Sequence, residues 1–176
     1  MRNAILLGGI GARLPRLREW IPVIVWAAVI FWFSTDAFSW DHTRPVIVGM
    51  LHTLMPSARE ETVLRLHALI RKCAHLGEYF IFGLLLFRAI RAPQTGWQFR
   101  WACIAILAAA LYASSDEFHQ SFVPSRGPAV GDVLLDTEGA TAAQLAAWLI
   151  IGRENRKKLA PEERCSTTQH EVAMGA

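Results

Sequence analysis

Charge is scarce in this chain: Asp, Glu, Lys and Arg make up 19% of its 176 residues, against 53% apolar side chains and a mean hydropathy of +0.27. That balance leaves too little polar surface for an ordinary soluble domain of this size. Cysteine is sparse as well. Cys73, Cys103 and Cys165 stand alone, with no CxxC spacing and no disulfide framework. No HExxH, nucleophile elbow or phosphate-binding P-loop occurs, which excludes the enzyme classes those motifs define. Internal repeats of the kind that build alternating-access carriers are not evident. A small-residue cleavage pattern is missing from the early part of the apolar run behind Arg13, Arg16 and Arg18, so that run is expected to stay as an anchor.

What is present is apolar sequence in blocks. Residues 20–38, "WIPVIVWAAVIFWFSTDAF", carry no charge before Asp36, and such a run nearly crosses a hydrocarbon core of about 30 Å. Three further blocks lie near 73–90, 98–115 and 133–151, interrupted by His75, Glu78, Asp136 and Glu138. Four membrane helices are expected. With the N-terminus in the cytoplasm, twelve of the Lys and Arg residues fall inside and six outside, which places both termini in the cytoplasm. Trp20 and Trp40 bracket the first helix, Trp97 and Trp101 mark the inner start of the third, and Pro93 with Gly96 closes a short hairpin before it.

The long connection after the first helix holds two more features. "RPVIVGMLHTLM" (44–55) is apolar but too short to span, so an interfacial or re-entrant segment is expected there. Ser57 and Glu60 have capping-box spacing, so a helix is expected to start there and run on through "TVLRLHALIRK".

The ionisable residues gather on helical faces. At about 100° per residue, Arg71, Lys72, His75, Glu78 and Tyr79 share one arc of the second helix, away from Cys73, Ala74, Gly77, Phe80 and Ile81. Tyr112, Ser115, Asp116 and His119 share a face of the third, with Gln120 on its flank and Glu117 turned elsewhere. Arg126, in "PSRGP", sits in a turn that would hold it over the site, and Asp132 is placed as the N-cap of the fourth helix. One turn on comes Asp136, with Gly139, Ala140 and Ala143 near its face to admit close packing. Ionisable groups at membrane depth cost about 2.5–3.5 kcal/mol or more, so they should face the bundle interior. Glu138 lies off that face, with no partner to name.

Two of these stretches, "RKCAHLGEYFIFGLLL" and "DEFHQSFVPSRGPAVGDVLLDTEGA", with a first helix ending in Ser34, resemble the VanZ-like family of small bacterial membrane proteins, named for a protein linked to teicoplanin resistance. The resemblance covers about residues 20–150. It implies a four-helix membrane domain and the motif positions Lys72, His75, Tyr79, Asp116, Glu117, His119, Gln120, Arg126, Asp132 and Asp136, but no settled reaction. The sequence departs from the family pattern at Glu138, where an apolar residue is usual, and at Ala143, where a second glycine is common.

The fold expected is therefore all-α: an integral membrane four-helix bundle over 20–151, with an extra amphipathic segment between helices one and two. A basic cytoplasmic N-terminus (1–19) precedes it, and a polar, disordered cytoplasmic tail (152–176) follows. For function, three classes compete. In an enzyme, His119 or His75 would be the base, oriented by Asp116 or Asp136, with Glu117 a further catalytic candidate. Lys72 and Arg126 would hold an anionic group, and Tyr79, Gln120, Asp132 and Ser34 would line the substrate site. His75, His119, Asp116, Glu117 and Asp136 are also suitable metal ligands, but their spacing does not decide it, so metal and cofactor stay unassigned. In a binding or transport module the same residues would handle protons or an anionic lipid head group. In a structural role they would only join helices, which Ser, Thr and Asn do at lower desolvation cost. The expected setting is the bacterial inner membrane. The partners are the lipid bilayer and a lipid-linked envelope precursor or anionic head group, with no nucleic acid and the oligomeric state open. Susceptibility to teicoplanin-type agents is the expected consequence.

Overall fold

The structure, a computed structural model, describes residues 2–36, 39–92, 94–122 and 130–174, with the backbone alone for 2–16, 41 and 154–174. Its elements are α1 (Arg2–Phe33), α2 (Trp40–Leu54), α3 (Glu60–Arg91), α4 (Phe99–Gln120) and α5 (Val130–Met174), and no strand occurs among the described residues. Of these, α3 and α4 are long and apolar enough to cross a membrane. The additional segment expected at 44–55 is α2, which begins earlier, at Trp40, and carries Pro45 inside it.

Several boundaries differ from expectation. α1 stops at Phe33 rather than near 38, because the chain turns: the Thr35 hydroxyl donates to the Trp32 carbonyl (2.7 Å) and the Ser39 amide to the Asp36 carbonyl (2.9 Å). α3 starts at Glu60 behind Arg59, so Ser57 lies in the preceding turn and does not cap it. The helix then continues unbroken through His67 to Arg91, a length of about 48 Å, which exceeds what a span requires. Asp132 is in the first turn of α5 and is not its N-cap, a position where its charge suits the helix dipole. α5 does not end at 151. It runs helical to Met174, where an unstructured tail was expected; "RENRKKLA" consists largely of good helix formers.

α1, α3, α4 and α5 alternate in direction. Glu19 of α1 meets Arg88 near the end of α3 (2.7 Å), and the Trp26 indole donates to the Glu78 carbonyl farther along (2.9 Å). The Tyr112 hydroxyl of α4 donates to the Ala27 carbonyl (2.7 Å), and the Gln144 amide of α5 to the Gly83 carbonyl of α3 (2.9 Å). These bonds recruit helical carbonyls as second acceptors, a way of joining helices where water is scarce. Between α3 and α4, Gly96 adopts φ 87°, and its carbonyl accepts from Arg91 (3.2 Å), which closes the expected hairpin.

The core lies between α3, α4 and α5: Tyr79, Phe82 and Leu86 against Ala105, Ala109 and Ala113 and against Ala140. An alanine stripe on α4 lets the helices approach closely. Outward, the surface is apolar, with Ile24, Leu107, Leu111 and Leu145 all more than half exposed. An apolar exterior of this extent belongs against lipid. The alternating directions bring the end of α1, the first half of α3, the end of α4 and the start of α5 to one end of the bundle, where the ionisable residues collect.

Candidate functional site

The site is built where α3 and α5 touch most closely. A Cβ on Gly139 would lie 2.5 Å from the Leu76 carbonyl oxygen, and one on Gly83 would lie 2.9 Å from the Ala140 Cα. This approach sets His75, beside Leu76, against Asp136, one turn before Gly139. Their Nδ1 and Oδ1 atoms stand 3.4 Å apart, with the Asp136 side chain 3% exposed. Small residues near Asp136 were expected to do this; the alanine at 143 preserves the contact, its Cβ fitting directly beside Gly83.

A second polar group joins α1 and α4. The Gln120 amide donates to the Ser34 hydroxyl (2.9 Å) and to Asp116 Oδ2 (2.8 Å), all three residues being buried. The other Asp116 oxygen and the Tyr79 hydroxyl are buried without a hydrogen-bond partner, and Asp136 Oδ1 has the ion-pair contact with His75 in place of one. Tyr79 is fully buried and lies within electrostatic range of both Asp136 and Asp116. Carboxylates from α4 and α5 thus approach a phenol of α3 from two sides.

Two cavities open beside these groups. The larger, of about 300 Å³, has apolar walls from Ile30 and Phe33 of α1, Ile47 of α2 and Ile70 and Ala74 of α3, and polar residues Ser34, Thr43, Arg71, His75, Glu78 and Asp116. The smaller, of about 160 Å³, lies among Trp40, Ala68, Arg71, Lys72, His75, Asp132 and Leu135. Arg71 and His75 border both.

The structure thus brings together Ser34, Tyr79, His75, Asp116, Gln120 and Asp136, with Lys72 and Asp132 at the smaller cavity. It does not bring His119 to either cavity; that ring is half-buried against Phe31, 4.8 Å between centroids. Glu117, expected to turn away, is buried beside Asp116. Both positions fall within the buried face of α4 because neighbouring helices enclose a wider arc than one stripe. Ser115, expected on the polar face, is exposed. Arg126 and the turn around it lie outside the described residues. Among the described residues, no three His, Cys, Asp or Glu side chains are placed to hold a metal ion.

Sequence reasoning passed over His67, Arg71 as a shared wall, and the contribution of α2. His67 is fully buried, stacks on Trp40 at 4.2 Å and has Nε2 3.5 Å from the Thr43 hydroxyl. Its signal was present: 67, 71, 75 and 79 recur at spacing four along one face of α3.

A helical bundle with an apolar exterior, two helices fit to cross a bilayer and a buried acid–histidine–amide cluster at one end defines a membrane protein with an internal polar site. A family model described as VanZ/LLP1 matches residues 20–151, and the chain belongs to that family. No curated protein and no solved structure matches it.

Proposed function

We propose that this protein is a multi-pass protein of the bacterial inner membrane, with both termini cytoplasmic, whose outward-facing end binds an anionic lipid-linked component of the cell envelope and thereby alters susceptibility to teicoplanin-type agents. The observation that carries this reading is the larger cavity. One side is apolar, from Ile30, Phe33, Ile47 and Ile70, and the other presents Arg71 and His75 beside the acids Glu78 and Asp116, so it suits an amphiphile whose head offers Arg71 an anionic group and the acids a hydroxyl or other donor. Arg71 supplies the charge for that head, and Ser34, which accepts from Gln120, is a hydrogen-bonding group on the same wall.

Catalysis is a second reading, favoured by the His75–Asp136 pair: a histidine held by a buried carboxylate is the arrangement of an oriented general base. In that case His75, rather than His119, is the base. A non-catalytic binding or transport module uses the same residues without a chemical step.

The test is lipid extraction and mass spectrometry of protein purified in mild detergent. Ile47→Trp, which fills the apolar side, and Arg71→Ala, which removes the cation, are each expected to lose a co-purifying anionic lipid that the unmodified protein retains. Identical lipid profiles in all three would overturn the reading.

A further inference from the structure

Most of the polar residues that border the larger cavity are engaged with the protein itself. The Thr43 hydroxyl donates to the Ser39 carbonyl (2.8 Å), His75 faces Asp136 (3.4 Å), and Arg71 and Glu78 each have an interaction of their own. Ser34 and Asp116 differ. Asp116 Oδ1 has no hydrogen-bond partner although the residue is only 6% exposed, and a carboxylate oxygen left unmet at that depth is costly. The Tyr79 hydroxyl, within electrostatic range, makes no bond to it and does not border the cavity.

The hydrogens of this group follow from its chemistry. A carboxylate has no proton to give, so the Gln120 amide turns its nitrogen toward Asp116 Oδ2, and that nitrogen gives its second hydrogen to the Ser34 oxygen. Ser34 is an acceptor on that side. Its own hydroxyl hydrogen is left over, because the hydroxyl makes no other hydrogen bond among the described residues. The cavity wall therefore offers one donor, the Ser34 hydroxyl, and one acceptor, Asp116 Oδ1, both held by a single amide. A hydroxyl group, which donates and accepts at once, answers that pair. An ammonium only donates, and an ionised phosphate oxygen only accepts and is repelled by Asp116. Apolar wall continues from the same place, since Ile30 lies one turn before Ser34 on α1 with Phe33 beside it.

We propose that Ser34 and Asp116 recognise a hydroxyl on the head group of the bound amphiphile, so that the ligand is an anionic lipid whose head ends in a polyol, such as glycerol or a sugar, and not in an amine or a bare phosphate. The proposal rests on the amphiphile reading above and narrows it. The head-group hydroxyl bridges Ser34 and Asp116 while the chain runs along Ile30. Gln120 does not border the cavity and acts as a positioning residue: it fixes the Asp116 carboxylate and, by occupying the Ser34 lone pair, frees the Ser34 hydrogen for the ligand.

The experiment titrates the delipidated full chain in detergent with phosphatidylglycerol and, separately, with phosphatidylmethanol, which has the same charge and acyl chains but no head-group hydroxyl. We expect phosphatidylglycerol to bind about tenfold more tightly or better, the size of one hydrogen bond to a charged group. Asp116→Asn, which keeps the shape and removes the charge, and Ser34→Ala should each bring that ratio to within about threefold, and Ser34→Thr, which keeps a hydroxyl, should restore it. A merely structural role would weaken both lipids alike and leave the ratio standing. If Asp116→Asn does not fold, the two Ser34 variants decide. Glycerol phosphate, with hydroxyls but no chains, should not displace phosphatidylglycerol at matched concentration; displacement would give the site to a soluble polyol and overturn the lipid assignment. Equal affinity for the two lipids in the unmodified chain, or a ratio that survives Ser34→Ala, would overturn the hydroxyl seat and leave the amphiphile reading intact. Binding of neither lipid would overturn that reading and this proposal with it.

Discussion

Gly139 lies so close to Leu76 that a Cβ at 139 would stand 2.5 Å from the Leu76 carbonyl oxygen and 3.3 Å from the Phe80 amide nitrogen. Both neighbours are backbone and cannot swing aside, so Gly139→Ala must push α3 and α5 apart. We expect a loss near the upper end of the ~1–3 kcal/mol typical of overpacking, read as a fall in the thermal midpoint in detergent. Gly77→Ala, with nothing within 4 Å, is the control and should be neutral or slightly stabilising. Equal midpoints for the two variants would show that the close crossing does not exist.

The same crossing holds His75 against Asp136 at 3.4 Å. Removing the imidazole strands a carboxylate that is 3% exposed, so His75→Ala should cost about 2 kcal/mol or more, water from the adjoining cavities holding it below the extreme for a dry site. Adding Asp136→Asn removes the stranded charge, so the double variant should be more stable than His75→Ala alone. Additive losses in that cycle would mean that the two side chains do not interact.

Gln120 serves two acceptors with one amide nitrogen, Ser34 and Asp116. Gln120→Leu leaves both without it and should cost about 1–3 kcal/mol. Ser34→Ala removes one acceptor while the amide keeps its bond to Asp116, so its cost should be smaller, within the ~0.6–2 kcal/mol of a membrane polar contact. Chemical denaturation in micelles ranks the two, and a larger effect for Ser34→Ala would contradict the network.

Glu138 is the acid for which the sequence offers no partner, and it lies exposed on the outer side of α5, opposite the buried row of Asp136, Ala140 and Ala143. Exposed there, it borders neither of the two cavities. Glu138→Leu should leave the thermal midpoint and any resistance phenotype unchanged or improved. A marked loss of either would point to a partner outside this chain.

Helical periodicity made much of this legible, because a strong desolvation cost forces ionisable residues of membrane helices inward, and spacing of three and four then names the inward face. His75 and Tyr79 on α3, and Asp136 with its small neighbours on α5, were readable on that basis, whereas Lys72 on the same arc is exposed. Glu117 was misread because a single stripe is too narrow a description of a helix enclosed on several sides. Asp132 and Ser57 were misplaced as caps because cap spacing is a local signal and helix ends shift by a residue or two. The division into two chambers was not readable at all, since it depends on how α2 lies over α3, a contact between segments that no periodicity couples.

That contact rests on His67. It is fully buried, stacked on Trp40 at 4.2 Å, with Nε2 3.5 Å from the Thr43 hydroxyl. α2 packs mainly on α3 and leaves Val46, Met50 and Leu54 more than half exposed, so few other contacts hold it. An aromatic pair of this kind contributes about 0.5–1.5 kcal/mol beyond the area it buries. His67→Ala should therefore loosen α2 locally, read as faster amide hydrogen exchange over residues 40–54 while α4 keeps its protection. His67→Phe retains the ring without its nitrogens and should keep most of that protection if stacking is what holds α2. Because Thr43 and Ile47 line the larger cavity, the alanine variant should also retain less co-purifying lipid than the phenylalanine variant. If both variants exchange like the unmodified chain, α2 is held by something other than this stack.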